Sequence, residues 1–592
     1  LFPFWHTEDK IRQLRLDLYS GATFEIDYIR ILAWDNNTPP VEQYVWSGSD
    51  AWLNKPIFPA APERFAPPVS LDVSDKFWVT LVARADEETP ASLIWANKKK
   101  SGINQRSFVL RGGGKPHTYN LEMTGLRTWE TPLVAIGLQI PRPDGVTIES
   151  LSIQDMPGGG ADVVIPYFSF VNAPNRAGKP CAVMLRVANR GGKDAAVTNV
   201  TLQPSADIQV TETFPDALPV SVPFGEFHDF VWRIQVESPG EYSLSAHITG
   251  EGFDEKMTTV LRFDPPAQAG KSDYVPEPKP VPTTIDVCAY YFPGWDAPSK
   301  WDCIRNVAPN RKPVLGYYDE SLPECVDWQI KWAVENGITC FLVDWYWIQG
   351  AQHLTHWFEA YRQARYRDVL KVAIMWANHN PPDTHSLDDW RAVTQEWIEK
   401  YFTLPSYYRV ENKPLVMIWD PNTLRRDLEK RSENVRDALA MSQRMAQEAG
   451  FDGIYFVAMG YDFSSSQMQR LWEEGYKAVT TYHEWGKAVD SAFGVRHLTF
   501  ESVVQNSPRA WNEKHAAADK LTYLPVVDTG WDSRPWHGDE SLVISGRTPE
   551  LFEQLLRAAK AFCEQHPKPF LVLGPMNEWG EGSYIEPCTE FG

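Results

Sequence analysis

Pro569-Phe570-Leu571-Val572-Leu573-Gly574-Pro575-Met576 is a short apolar run that delivers the chain into Asn577-Glu578-Trp579-Gly580-Glu581. A run of this length and composition reads as a strand buried on both faces, with two glutamates just past its end. Working backwards, the same texture recurs at residues 285–292, 338–345, 371–377, 414–419, 453–459, 476–482 and 521–527. Helical stretches intervene, among them 325–336, 387–401, 434–449 and 549–565. Alternating strands and helices mark an α/β domain, and eight strands in about 300 residues predict a (β/α)8 TIM barrel over 284–592. A doubly wound sheet would want a Gly-rich phosphate turn after its first strand, and Phe292-Pro293-Gly294-Trp295 does not supply one.

Residues 1 to about 264 have a different texture. Short alternating runs separated by Gly, Pro, Asn and Asp clusters predict β-sandwiches. A hairpin-like pattern recurs at constant offset, Leu14 matching Ile136 and Ile26 matching Ile148. The favoured reading makes 1–34 the terminal strands of a truncated module and 35–157 a complete jelly-roll-like, carbohydrate-binding-like sandwich. The alternative places both hairpins in one sandwich. Met156-Pro157-Gly158-Gly159-Gly160 reads as a flexible joint, 161–264 as an immunoglobulin-like sandwich, and the Pro-rich 265–283 as a stiff linker. The sandwiches are expected to be spacers first.

Composition narrows the partners. A net charge of -20 argues against nucleic acid, because phosphate contacts need clustered Lys and Arg. No apolar run is long enough to span a membrane as a helix. Seven cysteines without metal-ligand spacing argue against a disulfide framework, and no metal or cofactor is implied. The 25 Trp lean towards carbohydrate, since flat rings stack on sugar C–H faces. Oligomeric state is not legible.

Chemistry in such a barrel sits at the C-terminal strand ends. Those positions carry Tyr290 and Tyr291, then Asp344-Trp345-Tyr346, then Trp376 with Asn378 and His379. Trp419-Asp420, Tyr461, Tyr482-His483-Glu484, Asp528 with Trp531 and Asp532, and Asn577 to Glu581 complete the set. Carboxylates among aromatics and amides fit glycosidic cleavage, which needs a protonated acid at the leaving oxygen and a second carboxylate. Glu578 and Glu581 would each disfavour ionisation of the other. The bland alternative is that one of them caps the loop or pairs with Arg534.

The segment Asn577-Glu578-Trp579-Gly580-Glu581-Gly582-Ser583-Tyr584-Ile585-Glu586-Pro587 resembles the signature of the WbsX-like proteins, relatives of glycoside hydrolase family 99. Tyr290-Tyr291-Phe292-Pro293-Gly294-Trp295, Asp344-Trp345-Tyr346-Trp347 and Gly530-Trp531-Asp532 also fit, in order, over about 284–592. The resemblance implies a retaining glycosidase acting through the substrate's own 2-hydroxyl, with Glu578 as base and Glu581 as acid/base. It implies substrate contacts from Tyr290, Tyr291, Asp344, Trp345, Tyr346, Trp376, Asn378, Asp420, Tyr482, Trp531, Asp532, Arg534, Asn577 and Trp579, less firmly than the two glutamates. It also implies a final helix after Glu586-Pro587, before which this chain ends. The expectation is an exported hydrolase of oligosaccharide or polysaccharide. A WbsX-like glycosyltransferase and a non-catalytic glycan-binding protein stay open as alternatives.

Overall fold

The computed structural model describes residues 39–56, 63–99, 102–213, 217–266, 272–485, 497–538 and 541–591. The chain divides into two compact units, the boundary falling near Pro265. The segment carrying the first hairpin of the sequence repeat lies outside the described residues.

The first unit is antiparallel throughout. One sheet runs Val45–Ser47, Val146–Gln154, Trp78–Ala85, His117–Glu122, and its partner runs Glu63–Phe65, Leu133–Gln139, Thr89–Asn97, Asn104–Leu110. Alternate residues of both sheets, such as Val79, Leu81, Leu93, Trp95, Ile136 and Leu151, form one core between them. A second pair of four-stranded sheets, from Val163–Phe170 to Phe253–Phe263, encloses Val183, Leu185, Trp232, Ala246 and Ile248. The expected flexible joint between the two is instead a packed seam. Gly158 N–H donates to Asn120 Oδ1 (2.9 Å) and Thr80 Oγ1 (3.1 Å), and its carbonyl accepts from Gly192 N–H (2.9 Å). A Cβ on Gly192 would strike the Gly158 carbonyl, so glycine here serves close approach.

In the second unit, residues 272–283 have no regular structure but are anchored. Tyr274 donates to Asp327 Oδ2 (2.6 Å), Lys279 N–H to Glu335 Oε1 (2.9 Å), and Val275 is buried. Eight parallel strands follow: β1 Asp286–Tyr291, β2 Cys340–Ile348, β3 Lys371–Trp376, β4 Lys413–Ile418, β5 Tyr455–Met459, β6 Ala478–Thr480, β7 Thr522–Tyr523 with Val526–Val527, and β8 Phe570–Leu573. Pro525 splits β7, because proline has no N–H to give the ladder. The first half of β7 pairs with β6 and the second half with β8. Since β8 also pairs with β1, the sheet closes on itself in TIM-like fashion.

Helices cover the strands, and their starts are written locally. Thr548 caps Pro549–Gln565 by accepting from Leu551 N–H, with Pro549 in the first turn. Ser464 and Thr499 cap Ser465–Glu474 and Phe500–Ala517 in the same way.

Candidate active site

The loop after β8 is built from both sides. Asn577–Glu578 pairs antiparallel with Ser583–Tyr584, and Trp579–Glu581 makes one tight turn between them. Gly582 has φ +68°, and a Cβ there would lie 2.8 Å from Asp532 N. A Cβ on Gly580 would enter the Trp536 ring, so both glycines are required by close packing. Asp532 N–H donates to the Glu581 carbonyl (2.6 Å). Buried Arg311 donates to the Asp532 carbonyl (2.8 Å) and the Trp579 carbonyl (3.3 Å), and its guanidinium pairs with the Asp532 carboxylate. Arg547 reaches the carbonyls of Thr529 (2.6 Å) and Gly582 (2.9 Å).

The loop presents Glu578 and Glu581 to Asp344 of β2. The Tyr482 hydroxyl donates to Glu578 Oε2. Tyr290 packs at a tilt against Tyr482 at 4.7 Å and donates to the Thr481 carbonyl (2.8 Å), while Trp419 meets the Tyr482 ring edge-on at 4.8 Å. Burial raises all three carboxyls. Asp344 is held well above the usual carboxylate range by burial and the Glu578 charge. Burial raises Glu578, opposed by the Tyr482 hydroxyl and His483. Glu581 is pushed up to about 10 by burial, then by the charges of Glu578 and Asp344 and a hydrogen bond to Glu578. All three shifts run upward, so the cluster as a unit favours holding a proton. Among the described residues, no Lys or Arg is among the charges that shift these three groups. Asp344 Oδ1 is buried without a hydrogen-bond partner among the described residues.

Strand period decides which expected contacts reach this cluster. Side chains alternate across a strand, so Tyr290, Asp344 and Tyr346 face it and their neighbours do not. Tyr346 is raised by burial and by the Asp344, Glu578 and Glu581 charges, which places it beside them. Tyr291 instead stacks between Phe341 and Trp357 and donates to Glu320 (2.8 Å) and Gln329 (2.9 Å). Trp345 donates to the Tyr401 hydroxyl (2.9 Å) and packs on Trp397; Trp376 packs on Trp390 and Trp397. Trp579 is fully buried, stacked on Tyr584 at 4.1 Å, with Nε1 donating to Glu586 (3.0 Å). These four were expected at the substrate and lie in the packing layer, Tyr291, Trp345 and Trp376 by strand parity and Trp579 because the turn after β8 folds it inward.

Other expected contacts hold the frame. Asp420 caps Pro421–Lys430, accepting from Asn422 N–H (2.9 Å) and Thr423 N–H (3.1 Å). Asn378 exchanges two hydrogen bonds with the Asp420 backbone, and Asn577 does the same with Phe292. Arg534 is paired with Asp532, not with a catalytic glutamate. Burial raises Asp532, but Arg534 and Arg311 hold it below the usual carboxylate range. Trp531 meets His483 edge-on at 4.8 Å and borders the site. Two contributors had drawn less weight in the sequence, Arg311 and the His483–Asp528 pair (2.9 Å). His483 and Asp528 stand among the strand-end positions read from the sequence; Arg311 lies in a loop and left no pattern.

Residues 306–592 match the family model described as "Glycosyltransferase WbsX". Two curated relatives from strains of Xanthomonas campestris pv. campestris, each described as "Uncharacterized protein WxcX", are 23% identical over 353 residues. The match covers 54% of this chain and 47% of theirs, so the chain spans about half the length of these curated relatives. Among solved structures, the GH99 endo-alpha-mannosidase from Bacteroides thetaiotaomicron is similar at 18% identity and TM-score 0.38, over 52% of this chain and 89% of that one. A structure described as "Glycoside hydrolase-like protein" is 17% identical with TM-score 0.40, over 53% of this chain and 90% of that one. The C-terminal unit is a WbsX-like domain.

Proposed function

We propose that the C-terminal unit is a retaining glycoside hydrolase acting on a neutral oligosaccharide or polysaccharide, with Glu578 and Glu581 as its reacting groups. The carrying observation is the buried pair of carboxyls, Glu581 hydrogen-bonded to Glu578 and Glu578 held by the Tyr482 hydroxyl. An acid pushed up to about 10 stays protonated at neutral pH and can give its proton to a leaving glycosidic oxygen. Carboxyls in hydrogen-bond contact leave no room between them for the water of an inverting pair, which needs about 6.5–9.5 Å.

By the resemblance to family 99, Glu578 removes the proton of the sugar 2-hydroxyl as that oxygen bonds to C1. The C1–leaving-oxygen bond breaks as Glu581 protonates the departing oxygen. Water then opens the 1,2-anhydro sugar at C1, giving its proton to Glu581 while Glu578 returns one to O2. Asp344 and Tyr346 border the reacting ring, and Trp419 and Trp531 offer apolar faces. Among the described residues the charges acting on the cluster are carboxylates and His483, a lining suited to a neutral sugar. The reading includes jelly-roll-like and immunoglobulin-like spacer modules in the first unit, and export to where glycans are met.

A screen of neutral glycans, with the product anomer followed by proton NMR, tests the proposal. Hydrolysis with retention is expected; inversion would remove the mechanism. The description of the matching family favours a second reading, a glycosyltransferase. Thermal stabilisation by nucleotide sugars, but by no oligosaccharide, would put that reading first.

A further inference from the structure

His483 has one committed ring nitrogen and one that is not. Its Nδ1 lies 2.9 Å from Asp528 Oδ2. That oxygen also accepts from Glu484 N–H (3.1 Å), and Asp528 Oδ1 accepts from Gly530 N–H (2.8 Å). The His483 N–H in turn donates to the Tyr461 hydroxyl (3.2 Å). Trp485 stacks on the imidazole at 5.4 Å, and Trp531 and Tyr482 meet it edge-on at 4.8 and 4.9 Å. The ring is thus fixed in position and orientation. Yet Nε2 is buried with no hydrogen-bond partner among the described residues, although His483 is only 5% exposed.

Buried polar atoms are normally paired, because leaving one unpaired costs stability. An imidazole serving only to tie β6 to β7 would have no reason to keep its second nitrogen idle beside the reacting carboxyls. The imidazole meets the ring of its chain neighbour Tyr482 edge-on, and the Tyr482 hydroxyl is bonded to Glu578, so His483 lies one side chain away from that carboxyl. Asp528 can only accept from Nδ1, which makes Nε2 of the neutral ring an acceptor.

We infer that His483 Nε2 accepts a hydrogen bond from a hydroxyl of the sugar ring held against Glu578, with Asp528 fixing the tautomer and Trp531 beside the ring. His483 is then a substrate-positioning residue that selects the configuration of that hydroxyl. The inference rests on the proposed function and goes beyond it in naming a selecting group.

The test uses the full chain with 15N-labelled histidine. His483 is assigned by loss of its signals in His483→Gln. In the free protein Nδ1 is expected to carry the proton and Nε2 none. The probes are 1-deoxynojirimycin and its manno and galacto counterparts, measured by calorimetry. One configuration is expected to bind best and to move the Nε2 resonance. His483→Phe should weaken it about 10- to 100-fold, while His483→Gln, which keeps an acceptor, should weaken it about tenfold or less. Glu578→Gln is the control for the carboxyl site. A proton found on Nε2, or unchanged binding in both His483 variants while Glu578→Gln loses it, overturns the inference and leaves the proposed function standing. No binding by any probe to the wild type would overturn both.

Discussion

Two groups of buried carboxyls meet on the Asn577–Glu586 segment, and they are built to opposite ends. Glu586 accepts from Tyr318 (2.7 Å), Gln329 (2.9 Å) and Trp579 (3.0 Å), while Glu320 accepts from Trp295 N–H (2.6 Å) and Tyr291 (2.8 Å). Asp344, two strands from β8 around the sheet, has an oxygen with no partner among the described residues, and Glu581 is raised by burial and by the Glu578 and Asp344 charges. Burial raises both groups, Glu586 to about 7. Saturation with donors marks the first pair as frame, and unmet capacity marks the second as a place for a ligand.

The comparison breaks most visibly if the two groups respond alike to amide substitution. Glu578→Gln should leave the fold intact and lower glycan hydrolysis by at least about 100-fold, the lower range for loss of a proton-transfer group, in initial-rate assays. Glu586→Gln should act in the other currency. It leaves donors facing an amide nitrogen and should cost about 1–3 kcal/mol in denaturant unfolding of the second unit. Activity per folded molecule should change little.

A smaller effect concerns pH. Glu581 ordinarily titrates near 4.5 and sits near 10 in the fold, so the folded state binds more protons between those values. Stability from this group is present in full below 4.5 and is lost as pH rises towards 10. Glu581→Gln should therefore flatten the fall of melting temperature between pH 5 and 9 and gain most at the alkaline end. Asp344 and Glu578, raised in the same direction, keep part of the slope. The smallest contrast is between strand neighbours. Tyr346→Phe should alter substrate affinity a few-fold without moving the melting temperature, whereas Trp345→Phe should do the reverse by losing its bond to Tyr401.

Much of this was legible in the sequence because strand ends in an α/β alternation have a fixed meaning. The eight apolar runs, including one split by Pro525, gave the closed parallel sheet. What stayed illegible was parity. Tyr290 and Tyr291, or Asp344 and Trp345, are equally plausible as letters, and only pairing register tells which of each faces inward. Caps and clamps were hidden for a different reason. Asp420 looks like a ligand until its helix is seen to begin at Pro421, and Arg311 acts on residues more than two hundred positions away. The glycines of 158–160 read as slack because the close approach of Gly191 and Gly192 to their backbone leaves no trace in composition.

The central claim gives Glu581 and Glu578 different jobs, and leaving-group dependence separates them. Glu581→Gln and Glu578→Gln are compared on a glycan hydrolysed by the wild type and on the matching dinitrophenyl glycoside, whose departing oxygen needs no proton. Glu581→Gln is expected to lose the glycan and keep the activated substrate, while Glu578→Gln loses both. Equal loss of both substrates in Glu581→Gln, or full glycan hydrolysis by it, would contradict the assignment.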